Sequence, residues 1–189
     1  MARHALDLAV AHKERGHQAW AWRLLGDVAS HAGAPALAAA EEHYRKSLGI
    51  AEELRMLPVI AHAHLGLGRV LRLGGDRAAA EEHVVTAFMQ FRGMAVPYWV
   101  KKCGEEMMQL GDIFIVARYN PQLYDYLQRE FSHEERIRII MDRRVAERRQ
   151  RAEAAPGERR QGDRRRQHDV DANLHERGVV ILQSGNGST

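Results

Sequence analysis

The hexapeptide AAAEEH occupies residues 38–43 and returns unchanged at residues 78–83, 40 positions further along the chain. A Leu-Gly pair precedes each copy, Leu25-Gly26 before the first and Leu67-Gly68 before the second, with an offset of 42. The two units therefore differ by about two residues in one loop. Self-similarity at this period is typical of stacked helical repeats, which usually bind partners rather than catalyse reactions.

Apolar residues around both copies recur at three and four residue steps, which predicts helical hairpins over residues 1–111. The expected helices run from Gln18 to Ala32 and from about Ala36 to Arg55, with a second pair on either side of a turn at Gly74–Asp76 and a last helix from Val96 to Leu110. The faces that we expect to be buried carry Ala40, Tyr44, Ser47 and Ala51 in the first unit and Ala80, Val84, Ala87 and Phe91 in the second.

The order of residue types in the two units resembles the tetratricopeptide repeat. The matching residues are Trp22, Leu25, Gly26, Gly33, Ala40, Tyr44 and Ser47, and then Leu67, Gly68, Leu71, Gly75, Ala80, Val84 and Ala87. The resemblance implies a TPR-like α-α solenoid over residues 1–111, with units at about 18–57 and 60–93 and partial helices at both ends. The expected fold class is thus mainly α, a solenoid followed by a small α/β module with an Arg-rich loop.

The units are longer than the usual repeat and rich in Ala and Arg, and in this they resemble the C-terminal repeat region of bacterial regulators that combine a nucleotide cyclase with an ATPase. The chain has no Gly-rich phosphate loop ending in Lys and Ser or Thr. The resemblance therefore implies a non-catalytic scaffold or adaptor for protein-protein interaction in a bacterial signalling or regulatory system. We expect a protein or peptide partner to bind the inner faces of the first helices, around Arg23, Asp27, His64, Arg69 and Arg72.

Residues 112–142 and 167–183 have the pattern of a small α/β module. Short apolar runs predict strands at Asp112–Arg118, Arg136–Met141 and Val179–Leu182, with helices at Pro121–Glu135 and Asp169–Arg177. Strands that alternate with helices favour mainly parallel pairing. The Gly- and Ser-rich tail, residues 184–189, is expected to be disordered.

Residues 143–166 form an Arg-rich segment with ten Arg against four acidic residues, a net charge of +6 that leaves −3 for the rest of the chain. Arg forks bind phosphate bidentately, so one hypothesis is a site for nucleic acid or a cyclic dinucleotide. Double-Arg motifs also resemble those of PilZ-type cyclic dinucleotide receptors, although the Asp-x-Ser-x-x-Gly element of that family is missing here. The alternatives are a solvated linker, which the interspersed acids favour, and a docking segment for an acidic partner. The candidate phosphate-binding residues are Arg143, Arg144, Arg148, Arg149, Arg159, Arg160, Arg164, Arg165 and Arg166.

Other function classes find little support in the sequence. No apolar run approaches the length of a membrane span, the N-terminus carries closely spaced charges, and Cys103 is the only cysteine, so we expect a cytoplasmic protein. His62 and His64 lie on different helix faces and no metal-binding spacing occurs, so we expect no metal and no cofactor. We find no nucleophile with a base and expect no enzyme. An unpaired first helix makes self-association an open expectation.

Overall fold

A computed structural model describes residues 1–142 and 170–184 of the 189-residue chain. These residues are mainly helical and include a small three-stranded sheet. The chain divides into two compact units, Met1–Leu110 and a second unit that begins at Gly111.

The first unit consists of six helices joined by short turns. They are α1 (Ala2–Ala11), α2 (Arg15–Ser30), α3 (Leu37–Glu53), α4 (Leu57–Gly74), α5 (Arg77–Gly93) and α6 (Pro97–Leu110), with a 3₁₀ turn at Ala34–Ala36 before α3. Each helix packs against the next one in the chain, and α4 also contacts α2 and α6. The first helices of the two repeated units, α2 and α4, therefore lie side by side.

A left-handed turn at a non-glycine residue occurs three times along this unit. Lys13, Arg55 and Ala95 have positive φ values of 58°, 54° and 55°, and they lie between α1 and α2, α3 and α4, and α5 and α6. In each turn the amide of the following residue donates to a carbonyl five residues back, as in Met56 N to Ala51 O at 2.8 Å. This left-handed C-terminal cap satisfies the last carbonyls of the helix and reverses the chain. The extra residues of the first unit lie in its inner loop, where the 3₁₀ turn has no counterpart in the second.

Close helix contacts are also repeated. A β-carbon on Gly26 would lie within 3 Å of the Tyr44 ring, and one on Gly68 would collide with the side chain of Val84. Both faces predicted to be buried are buried: Ala40, Tyr44, Ser47 and Ala51 on α3, and Ala80, Val84, Ala87 and Phe91 on α5. The Leu-Gly pairs thus let each first helix approach its partner closely.

The second unit is built around a three-stranded sheet. Its described elements are β1 (Ile113–Val116), α7 (Pro121–Glu130), β2 (Arg138–Met141), a helix over residues 170–177, and β3 (Val179–Leu182). The strand order is β2-β1-β3, with β1 parallel to β2 and antiparallel to β3. Ile115 and Val180 pack with Leu174 of the helix over residues 170–177, whereas Phe114 stacks on Phe131 just after α7. Because side chains alternate along a strand, both faces of β1 are covered.

The sheet corrects one prediction, since its pairing is mixed rather than mainly parallel. Gly178, with a φ of 78°, directly follows the helix over residues 170–177, and its carbonyl accepts from Ala117 N at 2.8 Å. β3 therefore begins opposite Val116, at the end of β1, and runs back along it. A left-handed glycine at this point reverses the chain, so no crossover to a parallel strand is made.

β1 and β2 are shorter than the predicted strands Asp112–Arg118 and Arg136–Met141, and two further predictions in this unit also change. α7 ends at Glu130 rather than Glu135, because Phe131 leaves the helical conformation with φ −100° and ψ 17°; its ring stacks on Phe114. Within the predicted tail, Ser184 is held by Asp112, to which both its amide and its hydroxyl donate. Residues 185–189 lie outside the described part of the chain.

In the ranges 1–142 and 170–184, none of the helices combines the length and the apolar character that a membrane crossing requires.

Candidate functional site

A pocket of about 370 Å³ opens in the first unit, on the face where α2, α4 and α6 meet. Residues three or four apart on a helix share a face, and the pocket collects such residues from each of these helices. They are Arg23, Asp27 and Ser30 of α2 and His31 directly after it; His62, Leu65, Gly66, Arg69, Arg72 and Leu73 of α4; and Trp99 and Glu106 of α6, with Tyr44 of α3 behind them.

The α2 side of the pocket is a hydrogen-bonded triad. Arg23 Nη1 binds Asp27 Oδ2 at 3.0 Å, and Tyr44 Oη donates to Asp27 Oδ1 at 2.7 Å. Burial raises the pKa of Tyr44, and the adjacent Asp27 carboxylate raises it further, so the phenol stays protonated as a donor. Arg23 Nε is buried and has no hydrogen-bond partner among the described residues.

The α4 side joins two arginines to one glutamate of α6. Arg69 Nε donates to Glu106 Oε1 at 2.8 Å, and Arg72 Nη2 donates to Glu106 Oε2 at 3.2 Å. The Glu106 side chain is only 16% exposed, so this bridge is largely shielded from water. Arg72 Nε is buried without a partner in the described ranges. Each guanidinium thus gives one nitrogen to Glu106 and keeps further donors.

His62 contributes a neutral ring to the pocket. Its ring centroid lies 4.4 Å from that of Trp99 and 5.0 Å from that of Phe91, both edge to face. Burial lowers its pKa to about 4, the charges of Arg23 and Arg69 lower it further, and Asp27 acts in the opposite sense. The ring is therefore uncharged near pH 7, and it lies within reach of both guanidinium charges.

The pocket combines positive charge with apolar side chains. Three guanidiniums stand against the carboxylates of Asp27 and Glu106, which leaves one net positive charge beside the apolar side chains of Leu65, Leu73 and Trp99. Over the described ranges no three His, Cys, Asp or Glu side chains come together as a metal site. Cys103 is fully buried, and burial raises the pKa of its thiol to about 12. A thiol with that pKa is not a nucleophile at neutral pH.

Four of the five residues predicted for partner binding line this pocket: Arg23, Asp27, Arg69 and Arg72. His64 is placed elsewhere, because its Nδ1 lies 2.8 Å from Nδ1 of His83 on α5. Its neighbours on α4 that face the pocket are His62 and Leu65, so His64 is turned away from them toward α5. The ring pair His64–His83 occupies the place that Trp22 and His43 occupy in the first unit.

Nine residues that line the pocket were not among the predicted partner-binding residues, and four of these make the contacts described above: Tyr44, His62, Trp99 and Glu106. His62 carried a usable signal, because it lies seven residues before Arg69 and hence on the same helix face. Glu106 carried none, since it reaches the arginines from another helix. The candidate phosphate-binding arginines, between Arg143 and Arg166, lie outside the described residues, so that hypothesis stays a prediction.

Comparison of the chain with models of known protein families, with curated proteins and with solved structures finds no match.

Proposed function

We propose that this chain is a non-catalytic interaction scaffold or adaptor that binds a segment of a partner protein in the pocket between α2, α4 and α6. In this proposal its helical unit is an α-α solenoid related to tetratricopeptide repeats, and its setting is a bacterial signalling or regulatory system in the cytoplasm. The partner is a protein or peptide rather than a small-molecule substrate.

The repeated geometry supports the solenoid. Left-handed turns recur at Lys13, Arg55 and Ala95, and the close contact of Gly26 with Tyr44 has its counterpart between Gly68 and Val84. Solenoids stack equivalent hairpins so that first helices line one surface, where partners usually bind.

The observation that carries the proposal is the state of the pocket's donors. Arg23 Nε and Arg72 Nε are buried and have no acceptor within the described ranges. An unsatisfied buried donor costs about 1–3 kcal/mol, and hydrogen bonds to charged groups are stronger than neutral ones. A peptide segment offers carbonyl and carboxylate oxygens in an extended row, and these are suitable acceptors for the guanidiniums of Arg23 and Arg72, which line the pocket.

The test is a peptide selection against the chain and two variants. Leu73 lies at the pocket and is 56% exposed, so Leu73→Trp fills the site without introducing charge. Val28 on α2 is 64% exposed and does not line the pocket, so Val28→Trp is the matched control. A phage-displayed library of random peptides is selected on the intact protein, and the enriched peptides are measured against all three proteins by fluorescence anisotropy.

We expect peptides that bind the wild type and Val28→Trp equally and that lose at least tenfold in affinity for Leu73→Trp. Circular dichroism of both variants controls for folding. Enriched peptides that bind Leu73→Trp as well as the wild type would place binding outside the pocket and overturn the proposal, as would the absence of any enriched peptide.

A further inference from the structure

The guanidiniums of Arg23 and Arg69 line the pocket together with His62, and within the described residues each uses only part of its hydrogen-bonding capacity. Arg69 binds Glu106 through Nε, and its side chain is 39% exposed. Arg23 binds Asp27 through Nη1, and its Nε has none. Both positive charges act on the His62 ring. Arg23, Arg69 and the neutral His62 ring all line the same pocket.

We propose that the pocket recognises its partner through one acidic side chain, Asp or Glu, whose carboxylate is held between Arg23 and Arg69 beside His62, and that Glu106 competes with this carboxylate for Arg69. The inference rests on the proposed function and specifies the chemistry of the ligand.

Charge and size favour a carboxylate over a phosphate. The three arginines less Asp27 and Glu106 leave one positive charge, which balances a carboxylate, whereas a phosphate monoester carries close to two negative charges at pH 7. A volume of about 370 Å³ accommodates a side chain and its backbone rather than a folded element. Trp99 and Leu73 supply an apolar wall against which the methylenes of a glutamate can pack.

Glu106 already shows how the site holds a carboxylate. Its two oxygens accept from Arg69 at 2.8 Å and from Arg72 at 3.2 Å, and its side chain is only 16% exposed. Because the Glu106 carboxylate already binds Arg69, it lowers the positive potential that a carboxylate of the partner would meet. Glu106→Gln keeps the size of the side chain and removes the competing charge.

Glu105 provides the matched control. It lies next to Glu106 on α6, pairs with Lys102 at 2.8 Å and does not line the pocket. Glu105→Gln thus changes the net charge of the protein by the same amount outside the site.

The experiment titrates the full chain with N-acetylglutamate α-amide, with N-acetylglutamine α-amide and with N-acetylphosphoserine α-amide, followed by NMR of the Trp99 indole and the His62 ring. We expect a saturable response to the glutamate probe and none to its neutral isostere. Arg69→Gln is expected to weaken binding of the glutamate probe at least tenfold, which corresponds to about 1.4 kcal/mol, because a charge-assisted hydrogen bond is lost. Glu106→Gln is expected to strengthen it severalfold and Glu105→Gln to leave it unchanged.

A second readout separates binding from a purely structural effect. A carboxylate beside His62 favours the protonated ring, so the pKa of His62 should move upward from about 4 in the presence of the glutamate probe and stay unchanged with the glutamine probe. The charges of Asp27, Arg23 and Arg69 act on the pKa of the same ring in both titrations.

Several outcomes would overturn the inference. These are equal responses to glutamate and glutamine probes, no saturable response at all, tighter binding of the phosphoserine probe than of the glutamate probe, or an equal effect of Glu105→Gln and Glu106→Gln. If selected peptides still require the pocket but lack an essential Asp or Glu, the inference fails and the proposed function stands. If no selected peptide loses affinity for Leu73→Trp, the proposed function itself fails.

Discussion

Tyr44 on α3 donates its hydroxyl proton to Oδ1 of Asp27 on α2 across 2.7 Å, and its ring fills the space beside Gly26 and Gly66. The residue is 2% exposed. One side chain thus connects three helices and orients an acid of the pocket. The arrangement depends on two glycines, because a β-carbon at either position would lie within 3 Å of the ring.

Tyr44→Phe removes the hydrogen bond and keeps the packing. We expect a loss of about 1 kcal/mol in the free energy of unfolding, because Asp27 Oδ1 loses a buried donor. Urea unfolding followed by circular dichroism measures the change. Tyr98→Phe is the control, since Tyr98 is 63% exposed, and it should change stability very little. Equal effects of the two changes would show that the Tyr44 hydroxyl is energetically unimportant.

Gly68→Ala and Gly49→Ala should change the free energy of unfolding in opposite directions. A β-carbon on Gly68 meets the branched side chain of Val84 and the carbonyl of Ala80, the latter at 3.2 Å, so we expect about 1–3 kcal/mol of destabilisation. Gly49 on α3 has open space around it, and there alanine should stabilise by about 0.5–1 kcal/mol through helix propensity. Thermal unfolding of both variants checks the signs. A stabilised Gly68→Ala would refute the close approach of α4 and α5.

Ala95→Gly should stabilise the protein. Ala95 has a φ of 55°, and the left-handed region costs an L residue about 1–2 kcal/mol, whereas glycine enters it freely. We expect a net gain of about 0.5–1 kcal/mol in urea unfolding. Ala39→Gly on the exposed surface of α3 is the control and should cost up to about 1 kcal/mol. If both changes destabilise equally, the turn at Ala95 does not have this conformation.

His62 should make stability depend on pH. Its pKa is about 4 in the folded protein against 6.5 as the ordinary value, so between these pH values the unfolded chain binds a proton that the native chain does not. Stability is therefore fully present above pH 6.5, falls as the pH drops toward 4, and levels off below 4. Because the ring is only half-buried and solvent screens its charge, we expect about 1 kcal/mol from this residue.

The measurement compares urea unfolding of the wild type with that of His62→Phe from pH 7.5 to 4. The variant keeps an aromatic ring against Trp99 and should show the shallower loss of stability. His64, whose pKa is also lowered to about 4, remains in both proteins and cancels in the comparison. His4→Phe, at an exposed position of α1, should keep the wild-type dependence. A slope unchanged in His62→Phe would contradict the prediction.

The helices and their buried faces were predictable because local information determines them. Repeat spacing located α3 and α5, and the stripe from Ala40 to Ala51 is buried as expected. On α2, helical spacing allows either Val28 or Ala29 to continue the buried stripe, and in the structure Val28 is 64% exposed whereas Ala29 is half-buried. The choice depends on which helix α2 meets, which periodicity alone does not determine.

The pocket was predictable in part for the same reason. Arg69 and Arg72 share a helix face with each other, and this follows from spacing. Their bridge to Glu106 joins α4 to α6, and a contact between distant residues leaves no local signal. The reversal of β3 at Gly178 likewise depends on a left-handed backbone that many glycines do not adopt.

The position of β1 in the middle of its sheet has a consequence for synthesis on the ribosome. Ile113 pairs with Arg138 on one side and with Leu182 on the other, so the central strand is made long before its second neighbour. The helices α1 to α6 pack against their immediate neighbours and can dock one after another as they emerge. The sheet is complete only after Leu182 has left the exit tunnel, and until then the edge of β1 that pairs with β3 has unsatisfied hydrogen-bonding groups.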